Sequence, residues 1–236
     1  MSVFRFKQFA IKQANVPMKV NTDGVLLGAW TDVSNATKIL DIGSGTGVIA
    51  LMLAQRCPNA TIHAVEIDKM AVETAKENVR DSPWVSRVEV FGSSFQDFAG
   101  ETDQRYNLVV SNPPFFIQSL KSPFASRNLS RHADQLSYDD LVIGINRVLE
   151  DNGIFAAIFP YAEAGIFIAL AANHGLYCIR KSYVHPFAGG RIKRVLLELS
   201  RTRGALVESD LAIRVGPNLD YTEDYKRITC DFYLAF

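Results

Sequence analysis

Cysteine is scarce in this chain: three residues in 236, Cys57, Cys178 and Cys230, odd in number and far apart. That excludes a disulfide framework and a thiolate metal cluster, and the thiols are read as reduced structural groups of a cytoplasmic protein. Long apolar runs are missing as well. No stretch approaches the roughly 20 apolar residues of a membrane span. At the N-terminus Phe4 and Phe6 alternate with Arg5 and Lys7, which is not the continuous apolar core of a signal peptide. Internal repeats and low-complexity tracts are absent. Histidines number four, and none has metal-ligand spacing with Cys, Asp or Glu, so no metal is expected. What the chain does have is 48% hydrophobic residues, enough for one ordinary domain with a substantial core and a small appendage.

Net charge is also lacking, yet the zero sum hides an uneven distribution. Arg5, Lys7, Lys12 and Lys19 precede the first acid of the chain. Further on, Arg180, Lys181, Arg191, Lys193, Arg194, Arg201 and Arg203 surround a single acid, Glu198. The closing stretch is acidic, with Glu208, Asp210, Asp220, Glu223, Asp224 and Asp231. Fields at physiological salt decay over about 8 Å, so a local basic face is enough to hold a polyanion. The candidate phosphate contacts are Arg5, Lys7, Arg127, Arg131, Arg191, Lys193 and Arg194.

From residue 38 onward, short apolar runs alternate with helical periodicity. Strands are predicted at 38–42, 61–65, 87–91, 106–111, 154–159, 176–184 and 194–200. Helices are predicted at 46–56, after an Asp68 cap, at 137–149 behind a Ser137 capping box, and at 161–174 with Gly175 at the C-terminal cap. Strands separated by helices imply right-handed crossovers and a mostly parallel sheet. The expected fold is doubly wound α/β with seven strands. Residues 1–35 read as a short N-terminal arm and 36–236 as the main domain. Residues 115–136 have polar, basic character and little periodicity, and read as a functional loop.

Asp41-Ile-Gly-Ser-Gly-Thr-Gly47 joins the first of these strands to its helix. Glycines there permit a tight turn and let a ligand approach the backbone without meeting a Cβ. The helix N-terminus adds free amides and partial positive charge. Gly43, Gly45 and Gly47 are spaced G-x-G-x-G, one residue short of the dinucleotide pattern. Asp41 would repel a pyrophosphate and suits a ligand that carries an amino group. Glu66, at the end of the second strand, is placed to accept the two hydroxyls of an adenosine ribose. Asp97, after the third, is a candidate acceptor for an adenine amino group.

The fourth strand runs into Asn112-Pro113-Pro114-Phe115, where ligands collect in open α/β sheets. The prolines stiffen the exit and leave carbonyls that only accept. An amino group conjugated to an aromatic ring is planar and a poor nucleophile. If the Asn112 side-chain oxygen and the Pro113 carbonyl accept its hydrogens, its lone pair is freed to meet a sulfonium methyl in line. Phe115 offers a flat face for the base, worth about 1–3 kcal/mol. The chemistry then runs on positioning and electrostatics.

Taken in order, Asp41–Gly47, Glu66 and Asn112–Phe115 resemble the Rossmann-like class I S-adenosylmethionine-dependent amino methyltransferases. The 19–30 segment Lys-Val-Asn-Thr-Asp-Gly-Val-Leu-Leu-Gly-Ala-Trp, the 78–84 segment, and Gly216-Pro217 with Tyr221 and Tyr225 are similar to the bacterial tRNA1(Val) adenine-N6 methyltransferases. That resemblance covers nearly the whole chain. It implies S-adenosyl-L-methionine as cofactor, a tRNA partner, and N6 methylation of adenosine 37, just 3′ of the anticodon. It also implies that Lys19, Thr22 and Asp23 belong to a stretch closing over the cofactor. Phe115 stands where adenine enzymes commonly carry Tyr, which leaves guanine-N2 RNA methylation open beside adenine. Protein glutamine N5-methylation uses the same Asn-Pro-Pro logic.

Overall fold

The computed structural model describes residues 2–14, 16, 18–114 and 136–236. Phe115, Arg127 and Arg131 lie outside the described residues. The chain opens with a hairpin, β1 (Val3–Arg5) and β2 (Ala10–Lys12). Next comes α1 (Thr22–Trp30), started by the Asn21 side chain accepting from the Gly24 amide. Alternation then sets in: β3 (Lys38–Ile42), α2 (Val48–Arg56), β4 (Thr61–Glu66), α3 (Lys69–Arg80), β5 (Val88–Gly92), α4 (Phe95–Glu101) and β6 (Tyr106–Ser111). After the undescribed segment follow α5 (Tyr138–Val148), β7 (Leu149–Pro160), α6 (Tyr161–Asn173), β8 (Tyr177–Phe187), β9 (Arg194–Ser200), β10 (Val207–Arg214) and α7 (Glu223–Thr229). The caps are those the sequence signals: Asp68 accepts from Ala71 at α3, and Ser137 accepts from Asp140 at α5.

The main sheet has the order β10-β8-β9-β7-β6-β3-β4-β5. All its strands run one way except β9, which is antiparallel to β7 and β8. The connection from β8 to β9, residues 188–193, is too short for a crossover and forces a hairpin. The fold is doubly wound and mostly parallel, as expected, but the main sheet has eight strands, not seven. The additional strand, β10, pairs parallel with β8 at the edge. Its first half is solvent-exposed and carries Glu208 and Asp210. A charged edge strand lacks apolar alternation, because charge there guards against stray pairing. β7 likewise begins at Leu149, five residues ahead of Ile154, and pairs with β6 through a register shift between Tyr106 and Leu108.

Strand alternation divides the core into two layers. In β3, Ile39 faces α1, α2 and the hairpin, while Leu40 and Ile42 face α4, α5 and α6. α1, inside the segment read as an arm, is buried from Gly24 through Ala29 against α2. Gly28 sits so near Met52 that a Cβ would stand 2.9 Å from its sulfur. The hairpin aromatics Phe6 and Phe9 are buried and stack at 4.6 Å. Lys7 donates its backbone N–H to the Phe232 carbonyl (2.8 Å), and the Lys12 ammonium reaches Glu77 (2.5 Å) and Asp81 (2.7 Å). Arg180 belongs to the scaffold, not to a basic face: it forks onto the buried Glu198 and lies over Trp30 at 3.7 Å. Among the described residues, no helix is long and apolar enough to cross a membrane.

Candidate active site

Four parallel strands, β3 to β6, end at one rim, and a cavity of about 280 Å³ opens there. Its floor is the Gly-rich turn. Gly43 and Gly45 take φ of 68° and 55°, and a Cβ at either would meet no atom within 4 Å. Side chains are therefore excluded by the left-handed backbone, and the space above the turn stays open for a ligand. Gly47, at φ 79°, is the N-cap of α2 and has no side chain to cap with. Asp41 does that work. It shares the Ile39 face of β3, and its Oδ2 accepts from the Ala50 amide at 3.1 Å, in the first turn of α2.

Asp41 is fully buried and its Oδ1 has no hydrogen-bond partner. Burial, helped by the Glu66 charge, pushes its carboxyl up to about 7 against the pull of the Ala50 amide. Asp41 is not among the residues lining the cavity; Gly43, Gly45 and Glu66 are. The Glu66 carboxylate is held by three backbone amides, those of Gly45 (2.8 Å), Ile67 (2.9 Å) and Asp68 (2.9 Å). Oε1 accepts two of these amides and Oε2 one, so Oε2 keeps a lone pair for a ribose-type hydroxyl, offered from a fixed position; the expected pair of hydroxyls finds one free site, not two.

Apolar walls face this acid: Ile42, Val65, Ile67, Ala71 and Phe95. Val16 and Met18 close the cavity from the N-terminal side. Opposite stands Asn112, just past β6. Its Oδ1 is buried without a partner, and the residue lines the cavity together with Pro114. Pro113 is buried beside it. An unpartnered carbonyl oxygen in such a place costs roughly 1–3 kcal/mol, an expense that an incoming N–H removes.

Residues 22–164 match the Methyltransferase small domain family. Over 235 residues the chain is 46% identical to a tRNA1(Val) (adenine(37)-N6)-methyltransferase of Trichodesmium erythraeum, covering 99% of this chain and 98% of that one. A protein of the same name from Phocaeicola vulgatus is 45% identical over 231 residues, with 98% and 97% covered. The chain belongs to this methyltransferase family. The fold agrees: a predicted O-methyltransferase from Agrobacterium tumefaciens superposes with a TM-score of 0.68 at 18% identity, covering 89% of this chain and 96% of that one. Ribosomal protein L11 methylase from Lactobacillus delbrueckii subsp. bulgaricus gives 0.53 at 16% identity, with 76% and 78% covered.

Membership in the family implies S-adenosylmethionine as methyl donor, and the cavity fits it. Gly43 and Gly45 present bare backbone to the cavity, Glu66 is preset for a ribose hydroxyl, and the apolar walls suit a purine ring. Other expected residues stand elsewhere. Asp97 is in the first turn of α4, where its carboxylate accepts from the Ser94 hydroxyl at 2.6 Å and its amide donates back to that hydroxyl at 3.0 Å. It does not line the cavity; its neighbours Ser93, Ser94, Phe95 and Gln96 do. The reading of Asp97 missed α4 because a seven-residue helix carries too little periodicity to show. Lys19, Thr22 and Asp23 also fall outside the cavity walls. Lys19 is exposed, Thr22 lines a second cavity, and Asp23 pairs with Arg194 at 2.8 Å. Arg194 is thereby tied to α1, whereas Arg5, Lys7, Arg191 and Lys193 are solvent-exposed. Among the described residues no cluster of His, Cys, Asp and Glu is placed to hold a metal.

Proposed function

We propose that this chain transfers the methyl group of S-adenosylmethionine to N6 of adenosine 37 in tRNA1(Val), in the cytoplasm. The observation that carries the reading is the buried, unpartnered Oδ1 of Asn112 on the wall of a cavity floored by a Gly-rich turn. The cofactor, when bound, supplies an electrophilic methyl on a sulfonium. Glu66 and the Gly43–Gly45 backbone hold it, Asp41 braces the turn from behind, and Val16 and Met18 keep water off. Asn112 Oδ1 and the Pro113 carbonyl accept the two hydrogens of the target amino group. This draws its lone pair out of conjugation with the purine and aims it across the cavity. No covalent enzyme intermediate is required, and the rate gain comes from orientation and fixed dipoles.

Phe115 is retained as the stacking face for the flipped base. Lys19, Thr22 and Asp23 are retained as the segment that closes over the cofactor, and Asp97, in place of accepting from an adenine amino group, is assigned to holding the Ser94 end of the cavity. Arg5, Lys7, Arg127, Arg131, Arg191, Lys193 and Arg194 are assigned to the phosphate-facing surface. The test is transfer of labelled methyl to unmodified tRNA, followed by nucleoside digestion and mass spectrometry. N6-methyladenosine confined to position 37 of tRNA1(Val) is expected. N2-methylguanosine, or label in a protein fraction alone, overturns the substrate assignment.

A further inference from the structure

The aromatic segment after β10 has no part in the site described so far. Gly216-Pro217-Asn218 turns the chain there, with Asn218 at φ 59°, a left-handed conformation that asparagine tolerates better than bulkier residues. The turn delivers Tyr221 against Tyr225 of α7, their rings 5.0 Å apart and 17° from parallel. Arg214, the last residue of β10, lies over the Tyr221 ring at 4.3 Å and is fixed by donating to the Leu219 carbonyl at 2.6 Å. Tyr225, Tyr221 and Arg214 thus form a layered stack with a planar cation in it. Beside the stack is a second cavity of about 380 Å³, walled in part by Thr22, Phe187, Arg214, Asn218, Tyr221 and Tyr233. The Asn218 side chain hydrogen-bonds to no described residue.

Position ties this cavity to the first. Phe187 ends β8 and Arg214 ends β10, and both strands run parallel to β6, whose end carries Asn112. The two cavities therefore open on one edge of the sheet. β8 is three strand steps from β6 and β10 is four, which places the second cavity about 14–19 Å along the rim at roughly 4.8 Å per strand. Exposed Arg191 and Lys193 lie in the turn that leaves β8. The acids of α7 do not oppose an anion strongly, since Glu223 pairs with Lys226 and Asp224 with Arg227.

We infer that the cavity beside Arg214, Asn218 and Tyr221 is a stacking subsite for a second, unpaired base of the same RNA, a few nucleotides from the methylated one. The inference rests on the proposed function. Unpaired bases stack on aromatic rings and guanidinium planes, and an amide reads their edges. A cationic plane, a tyrosine stack and an uncommitted amide at one cavity answer those three requirements. Arg191 and Lys193 provide for the phosphates in between.

The test uses the full chain and unmethylated anticodon stem-loops of tRNA1(Val), intact or with one base removed near the target. Arg214→Lys keeps the charge and loses the plane. It is expected to raise KM for the intact RNA about tenfold or more, the size of a lost base stack. Its kcat and its calorimetric affinity for S-adenosylhomocysteine are expected to stay unchanged. For one flanking position, base removal is expected to cost the unmodified enzyme the same factor and to cost Arg214→Lys nothing further. Asn218→Gly, which removes the amide and keeps the left-handed turn, is expected to show the same lack of additivity and carries the test if Arg214→Lys unfolds. The inference is overturned if both variants match the unmodified enzyme in KM, or if their losses simply multiply with base removal at every position. Failure of the unmodified enzyme to methylate the intact stem-loop strikes instead at the proposed function, and the subsite falls with it.

Discussion

Asn112 and Asp41 both carry a buried oxygen with no partner, and single substitutions separate what each oxygen does. Asn112→Ala removes an acceptor that the resting protein leaves unsatisfied. Its melting temperature is expected to hold or rise, because the desolvation cost disappears. Its kcat is expected to fall about 100- to 1,000-fold, the range seen when one preorganised polar contact to the reacting group is lost. Affinity for S-adenosylhomocysteine should change little. Asp41 is read out by pH. Its folded carboxyl titrates near 7 instead of 3.8, because burial disfavours the anion. Between these values the native state keeps a proton that the unfolded chain releases, so stability from this group is full below about 4 and is lost as pH rises to about 7. The loss is on the order of 4 kcal/mol. In denaturant titrations Asp41→Asn should flatten that part of the stability curve, and an unchanged slope between pH 4 and 7 would contradict the assignment.

Among elements, α4 and α5 set the far wall of the cofactor cavity through one close contact. Gly144 of α5 lies against Phe95, and a Cβ there would stand 2.4 Å from Cε1 and 2.8 Å from Cζ of a ring that is itself buried. Gly144→Ala should cost about 1–3 kcal/mol as overpacking. Because Phe95 lines the cavity, the same variant should weaken S-adenosylhomocysteine binding in calorimetry, an effect on a ligand that Gly144 does not reach. The elements were unevenly legible in the sequence. The alternating pattern, the Asp68 and Ser137 caps and the Gly-rich turn declared β3 to β6 with α2, α3 and α5, since each of these signals is local. α1 did not read as a helix, because Gly24 to Ala29 are buried without a polar face to give periodicity. α4 and α7 are each seven residues long and too short for the pattern. β10 pairs with β8 along its length and packs only Leu211 and Ile213 against the core, too few apolar positions to show as alternation. In the site, Glu66 and Asn112 were legible from their strand ends. The contributions of Val16, Met18 and Phe95 depend on which loop folds over which, and spacing does not encode that.

For the molecule as a whole, the neutral total charge is resolved into paired and unpaired cations. Lys12, Lys181 and Arg180 are bound to Glu77 and Asp81, Glu208, and Glu198 respectively. Arg191 and Lys193 stay exposed on the turn between β8 and β9, on the rim that holds both cavities. Replacing both with Ala should weaken tRNA binding in proportion to salt. The slope of log affinity against log salt should fall by roughly 1 to 2, one phosphate contact each. A slope equal to that of the unmodified enzyme would remove these two residues from the RNA path.

One side chain reaches across the whole N-terminal half. Asn78 of α3 is buried; its Oδ1 accepts from the Lys12 amide (2.8 Å), and its Nδ2 donates to the carbonyls of Lys12 (3.1 Å) and Thr46 (2.9 Å). Lys12 ends the hairpin that leads to Val16 and Met18, and Thr46 belongs to the Gly-rich turn. A ligand that steadies the turn therefore steadies the hairpin through a shared amide, and by reciprocity a docked hairpin tightens the ligand. In hydrogen exchange, the amide of Lys12 should slow when S-adenosylhomocysteine binds, and in Asn78→Ala that response should vanish while ligand affinity drops. The hairpin thus makes the protein's hold on its cofactor depend on a segment that never needs to touch it.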